Sequence, residues 1–225
     1  MIVTIHQPAY LPWLGYLDRI ASSDVFVFLD SVQFEKNSFT NRNRIKTPKG
    51  PLWLTVPVKL QGHLQKVLSE IEVDDKQNWK KKHLRSIEQN YRQASAFNDI
   101  ERLAALYDPD VSLLSDLCFD QLKFWLTELG IKSRVVRASE LAVEGKKSDL
   151  ILTLCRKVGG DTYLSGPLGR GYLEEEKFAA AGITVRYHDY VHPTYPQLFG
   201  EFLPAMGVAD YWLNCPERDL FRKKQ

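Results

Sequence analysis

The sequence predicts an α/β protein: a mostly parallel, Rossmann-like sheet with helices on both faces and a helical insert at about 75–130. Three observations lead there. Residues 1–30 read as strand, loop, amphipathic helix and second strand. Residues 134–187 alternate short apolar strands with helical stretches of about ten residues. Between them lie two long segments whose apolar residues recur at helical spacing.

The first strand is Ile2 to Ile5, and the second runs apolar to Asp30. Residues 31–51 are polar and basic and close on a Pro48–Gly50 turn. Residues 52–60 read as a strand whose internal Pro57 implies an edge position or a bulge. From 77 to 91, Trp79, His83, Leu84, Ile87 and Tyr91 make a helical stripe, and Lys80, Lys81, Lys82 and Arg85 form a solvated face. From 112 to 129 Ser112 is the expected N-cap, the stripe is rich in leucine, and Gly130 is the stop. A strand at Arg134–Arg137 follows, then a helix from Ser148 to Val158 ending at Gly159–Gly160. Thr162–Leu164 is a strand, Tyr172–Ala181 a helix stopped by Gly182, and Ile183–Tyr187 a strand. The two βαβ-like ends are expected to share one sheet in a single domain over 1–225.

Composition narrows the function. At 225 residues, 44% hydrophobic and 26% charged, the chain has the balance of a soluble globular domain. A formal charge of +2 argues against general nucleic-acid binding. No apolar run approaches a membrane span, and Met1 leads into a strand with no basic leader, so a cytoplasmic protein without membrane insertion is expected. Cys118, Cys155 and Cys215 are scattered, which suggests neither a disulfide framework nor a metal site.

Candidate chemistry concentrates in four places. His6 and Gln7 follow the first strand, at the carboxyl edge where open α/β sheets bind ligands, in a loop stiffened by Pro8 and Pro12. His6 is the expected general base and Gln7 the expected orienting amide. Tyr10, Trp13 and Tyr195 are expected to shape a sugar-sized pocket. In residues 38–46, Arg42, Arg44 and Lys46 alternate at strand spacing and can clamp a diphosphate, with Asn41 beside them. In residues 165–172, Gly166 and Gly169 permit close backbone approach to an anion, and Ser165, Arg170 and Tyr172 add polar groups. Asp30, His188 and Gln197 complete the binding set. His188 and His192 are four apart, but Pro193 and the preceding strand argue against the helix that a metal pair would need.

HQPAYLPWLGYLDRIASSDVFVFLDSVQF (6–34) resembles the opening signature of the WbqC-like proteins, found among bacterial surface-polysaccharide (O-antigen) genes. The resemblance continues through 41–46, 54–59, 159–173 and 190–202. It implies a glycine, or more generally aminoacyl, transferase acting on a nucleotide-linked or lipid-linked sugar. The donor is left open between free amino acid with ATP, aminoacyl-tRNA and a thioester carrier. The layout strand, histidine loop, helix, strand is also similar in outline to nucleotidyltransferases and class I synthetases, which would use ATP with Mg²⁺. Their second motif histidine is absent here. A non-catalytic sugar-nucleotide-binding protein is the third reading.

Overall fold

A computed structural model describes residues 1–107 and 110–221. Five parallel strands, β1 (Ile2–His6), β2 (Val25–Phe28), β5 (Arg134–Arg137), β6 (Thr162–Ser165) and β7 (Thr184–Tyr187), form one sheet in the order β5-β2-β1-β6-β7. A separate antiparallel hairpin pairs β3 (Arg42–Thr47) with β4 (Gly50–Thr55). The helices are α1 (Leu14–Ala21), α2 (Trp79–Tyr91), α3 (Ile100–Ala104), α4 (Leu114–Glu128), α5 (Lys147–Lys157), α6 (Glu175–Ala180) and α7 (Val208–Asn214). Among the described residues no helix is long and apolar enough to cross a membrane.

The sheet is covered on both faces because its strands are apolar on both. Val3 and Ile5 of β1 and Val25 and Val27 of β2 pack with Leu150, Ile151 and Leu154 of α5 and Phe178 of α6. Phe26 and Phe28 point the other way, into a larger cluster with α1, α4 and α7. Such two-faced strands are the mark of a buried parallel sheet. The hairpin, α2 and α3 join that larger cluster, so the long connection between β2 and β5 extends the main core.

Several local expectations need correction. The strand at 52–60 begins at Gly50 and ends at Thr55, before Pro57, which has no N–H for a ladder. Ser112 does not cap α4; Leu113 precedes the helix, and the Ser112 carbonyl accepts from the Val73 amide instead. Ser148 lies inside α5, where its Oγ accepts from the Glu174 amide. The helix expected over 172–181 shrinks to α6, because Pro167–Gly171 forms a 3-10 turn. Gly130 does end α4, in the left-handed conformation (φ +68°) that glycine adopts without a Cβ penalty.

Candidate active site

The strand order makes the site a consequence of topology. From β1 the chain builds outward through β2 and β5, then returns to the other side of β1 for β6 and β7. The order therefore reverses between β1 and β6, where open α/β sheets bind ligands beyond the strands' carboxyl ends. The β1–β6 ladder covers only Ile2–Thr162 and Val3–Tyr163. Past it lies a crevice of about 630 Å³, within the usual range for small-molecule sites. His6, Gln7 and Trp13 line it from the β1 loop, and Tyr16 and Arg19 from α1. Ser165, Gly166, Gly169 and Tyr172 come from the loop after β6, with His188, Asp189 and Tyr190 from the segment after β7.

His6 is held in one tautomer. Its Nδ1 lies 2.9 Å from the Gln7 carbonyl oxygen, which only accepts, so Nδ1 carries the proton and Nε2 presents a lone pair. Trp13 and Tyr16 close on the ring with centroids at 5.7 and 4.9 Å. Burial, followed by the nearby Arg19 charge, lowers its pKa from 6.5 to about 3, against a smaller opposing pull from the Gln7 carbonyl. His6 is therefore a neutral hydrogen-bonding group at physiological pH.

The second histidine is set up differently. His188 Nε2 lies 2.7 Å from Asp18 Oδ2 on α1, and both side chains are largely buried. A carboxylate accepts, so Nε2 carries a proton, and in the neutral ring Nδ1 is the acceptor. Tyr190 stacks on the imidazole at 5.8 Å and 21°. Its ring also lies where a Cβ on Gly15 would stand, 2.8 Å from Tyr190 Cε1, so α1 carries glycine there. A histidine oriented by a buried carboxylate beside a crevice is the arrangement of a general base.

Arg19, the residue after Asp18, is buried and lines the same crevice. Desolvation lowers its pKa, and the phenols of Tyr163, Tyr16 and Tyr172 act in the opposite sense. The loop after β6 is shaped around these groups. Ser165 Oγ donates to the Gly166 carbonyl at 3.0 Å, and a Cβ on Gly169 would come within 2.0 Å of that Oγ.

Other expected site residues lie elsewhere. Tyr10 is in the core, its hydroxyl 2.8 Å from His83 Nδ1 and from the Tyr107 hydroxyl. Asp30 accepts from Arg137 Nε, the Ser139 amide and Ser139 Oγ, which ties β2 to β5. Asn41 donates to the Val56 carbonyl. Arg170 stacks on Tyr187, 3.9 Å from its centroid, outside the crevice lining. Arg42 and Arg44 do share a face, stacked on Trp53 at 4.4 and 5.4 Å, but Lys46 departs from them. Its Nζ is buried against Gln197 Oε1 (3.1 Å) and the Glu201 carbonyl (2.6 Å). Tyr195 and Gln197 join Tyr91 in donating to the fully buried Asp210.

His6, Gln7, Trp13, Ser165, Gly166, Gly169, Tyr172 and His188 are thus brought together. Sequence reasoning missed Asp18, Arg19, Tyr16 and Tyr163. The one sequence signal for the first three is an adjacent acid–base pair inside the apolar helix LGYLDRIA, whose eight residues are all buried, while Tyr163 lies on β6 with no signal of its own. The cysteines are free and buried, and burial pushes Cys155 up to about 12 and Cys215 up to about 11, the reverse of an activated thiol. Among the described residues no three His, Cys, Asp or Glu side chains converge as a metal site.

Fold and crevice together define a doubly wound α/β protein with a crevice at its switch point. The chain belongs to the WbqC-like protein family, whose profile matches residues 7–221. It is also similar to "Uncharacterized protein Rv1507c" of Mycobacterium tuberculosis (strain ATCC 25618 / H37Rv). The two are 35% identical over 218 residues, covering 94% of this chain and 93% of the relative. No solved structure matches the chain.

Proposed function

We propose that the crevice transfers an aminoacyl or related acyl group to an amino or hydroxyl group of a nucleotide-linked or lipid-linked sugar, in surface-polysaccharide synthesis in the cytoplasm. The observation that carries this reading is the Asp18–His188 pair at the switch point. His188 Nδ1 takes the acceptor's proton as the acceptor attacks the donor carbonyl. The tetrahedral intermediate then collapses, and the leaving group takes that proton from the imidazolium, which Asp18 stabilises. Such general acid–base assistance is typically worth about 10²–10⁴ in rate. His6, too weakly basic to share this work, accepts a hydrogen bond from the acceptor at Nε2 and fixes its orientation. Gln7 orients the acceptor or the carbonyl, while Trp13 and Tyr172 offer rings to a sugar.

A second reading, ATP-dependent adenylation or nucleotidyl transfer, is favoured by a histidine placed directly at the end of the first strand beside the switch point. Mg²⁺ would then be held largely by nucleotide phosphates. One experiment separates these. Purified protein is incubated with nucleotide sugars and each donor class, and products are read by mass spectrometry alongside a pyrophosphate assay. A sugar carrying the acyl group, absent with His188→Gln, is the expected result. Pyrophosphate release without acylated sugar selects the second reading. A nucleotide sugar bound but unchanged under every donor makes the protein a binder.

A further inference from the structure

We propose that Arg19, set against the Gly166 backbone, is an anion subsite of the crevice that takes a carboxylate or phosphate carried by the ligand. The inference rests on the proposed reading only for the location of the site, and on none of its chemistry.

The argument begins with a comparison inside the molecule. Arg19 and Arg218 are equally buried, each 8% exposed. Arg218 has two carboxylate partners, Asp99 and Glu128. The half-buried Arg137 likewise has Asp30 and Asp116. Among the described residues Arg19 has no ion pair and no side-chain hydrogen bond. Asp18 is turned to His188, and Asp189, exposed at the rim, makes no ion pair with Arg19. His6 beside it is neutral.

A guanidinium stays charged even where burial lowers its pKa, and an unpaired charge taken out of water is costly. Such a group persists where its partner arrives from outside. None of its nitrogens is both sealed from solvent and unpartnered, whereas Arg42 Nε and Arg44 Nε are. What remains open of the guanidinium therefore faces the crevice that it lines.

The surroundings keep this position clear. A Cβ on Gly166 would stand 2.3 Å from Arg19 Nη1, so glycine is what allows the guanidinium to lie against the loop. Tyr16, Tyr163 and Tyr172 surround the charge with phenol groups, not carboxylates. The planar fork suits two oxygens of one carboxylate or one phosphate equally.

The test is calorimetry and thermal unfolding of the full chain with inorganic pyrophosphate in one arm and succinate in the other, against chloride at matched ionic strength. The native protein is expected to bind at least one of them, and the arm that responds assigns the source. Arg19→Met is expected to weaken that binding at least tenfold, and Arg19→Lys less. Should Arg19→Met fail to fold, Gly166→Ala must show the loss. Neither anion stabilising the native protein beyond chloride would overturn the subsite, as would unchanged affinity in Arg19→Met or Gly166→Ala. Intact anion binding together with no acyl transfer under any donor would sink the proposed function and leave the subsite standing.

Discussion

The neutral state of His6 has a measurable consequence for stability in acid. Its pKa falls from 6.5 to about 3 on folding, so between these values the unfolded chain binds a proton that the native protein does not. Stability is therefore lost as pH falls through the unfolded value, and the loss stops growing below the folded one. At about pH 5, roughly 1.5 units below the unfolded value, the loss from this group is about 2 kcal/mol, and at pH 7.5 it is close to zero. His83, lowered to about 4 by burial, contributes a similar loss of its own. His6→Asn removes only the first contribution. Urea unfolding at pH 7.5 and pH 5 should show the native protein losing about 2 kcal/mol more than the variant. Equal losses would mean that the folded state does not depress the His6 pKa, and the argument that leaves His6 out of the proton transfer would fall.

Three further outcomes follow from the packing. Asp210→Asn leaves Tyr91, Tyr195 and Gln197 competing for a group that also donates, and should cost about 2–4 kcal/mol by chemical denaturation. Pyrophosphate or succinate affinity should not move, because Asp210 is outside the crevice. Gly169→Ala drives a Cβ to within 2.0 Å of Ser165 Oγ and 2.9 Å of Leu173 Cδ1, so calorimetry should find ligand affinity down at least about tenfold with a lower Tm. Arg42→Ala and Arg44→Ala should each weaken a nucleotide-linked sugar severalfold while leaving pyrophosphate binding unchanged. The link is a ring contact series from Trp13 through Phe39 to Trp53, at 5.3 and 5.9 Å, that joins the crevice to these arginines.

What could be read from sequence was local. Arg134–Arg137 is a strand at the expected residues, and the others fall within a few, because apolar runs and glycine stops act over one or two turns. His6 was legible as a crevice-lining residue because it stands at the carboxyl end of the first strand. The caps at Ser112 and Ser148 were misread because α4 starts one residue later, with Leu113 in the cap position, and because Ser148 lies inside α5 with its Oγ taken by the distant Glu174 amide. The Asp18–His188 pair was out of reach because only tertiary structure brings its members together. Asp18 and His188 are 170 residues apart and meet only through the sheet's reversal. Lys46 looked like part of a basic stripe, yet its strand turns it toward Gln197 and the Glu201 carbonyl, a destination set by a loop 151 to 155 residues on.

The central claim is that His188, oriented by Asp18, moves the proton. Its most direct test is the single-turnover rate of His188→Gln, alongside its ligand affinity, on whichever acceptor and donor the transfer screen identifies. The account predicts a rate reduced at least about a hundredfold, with affinity within about threefold of native. A His188→Gln protein that turns over at the native rate would contradict it.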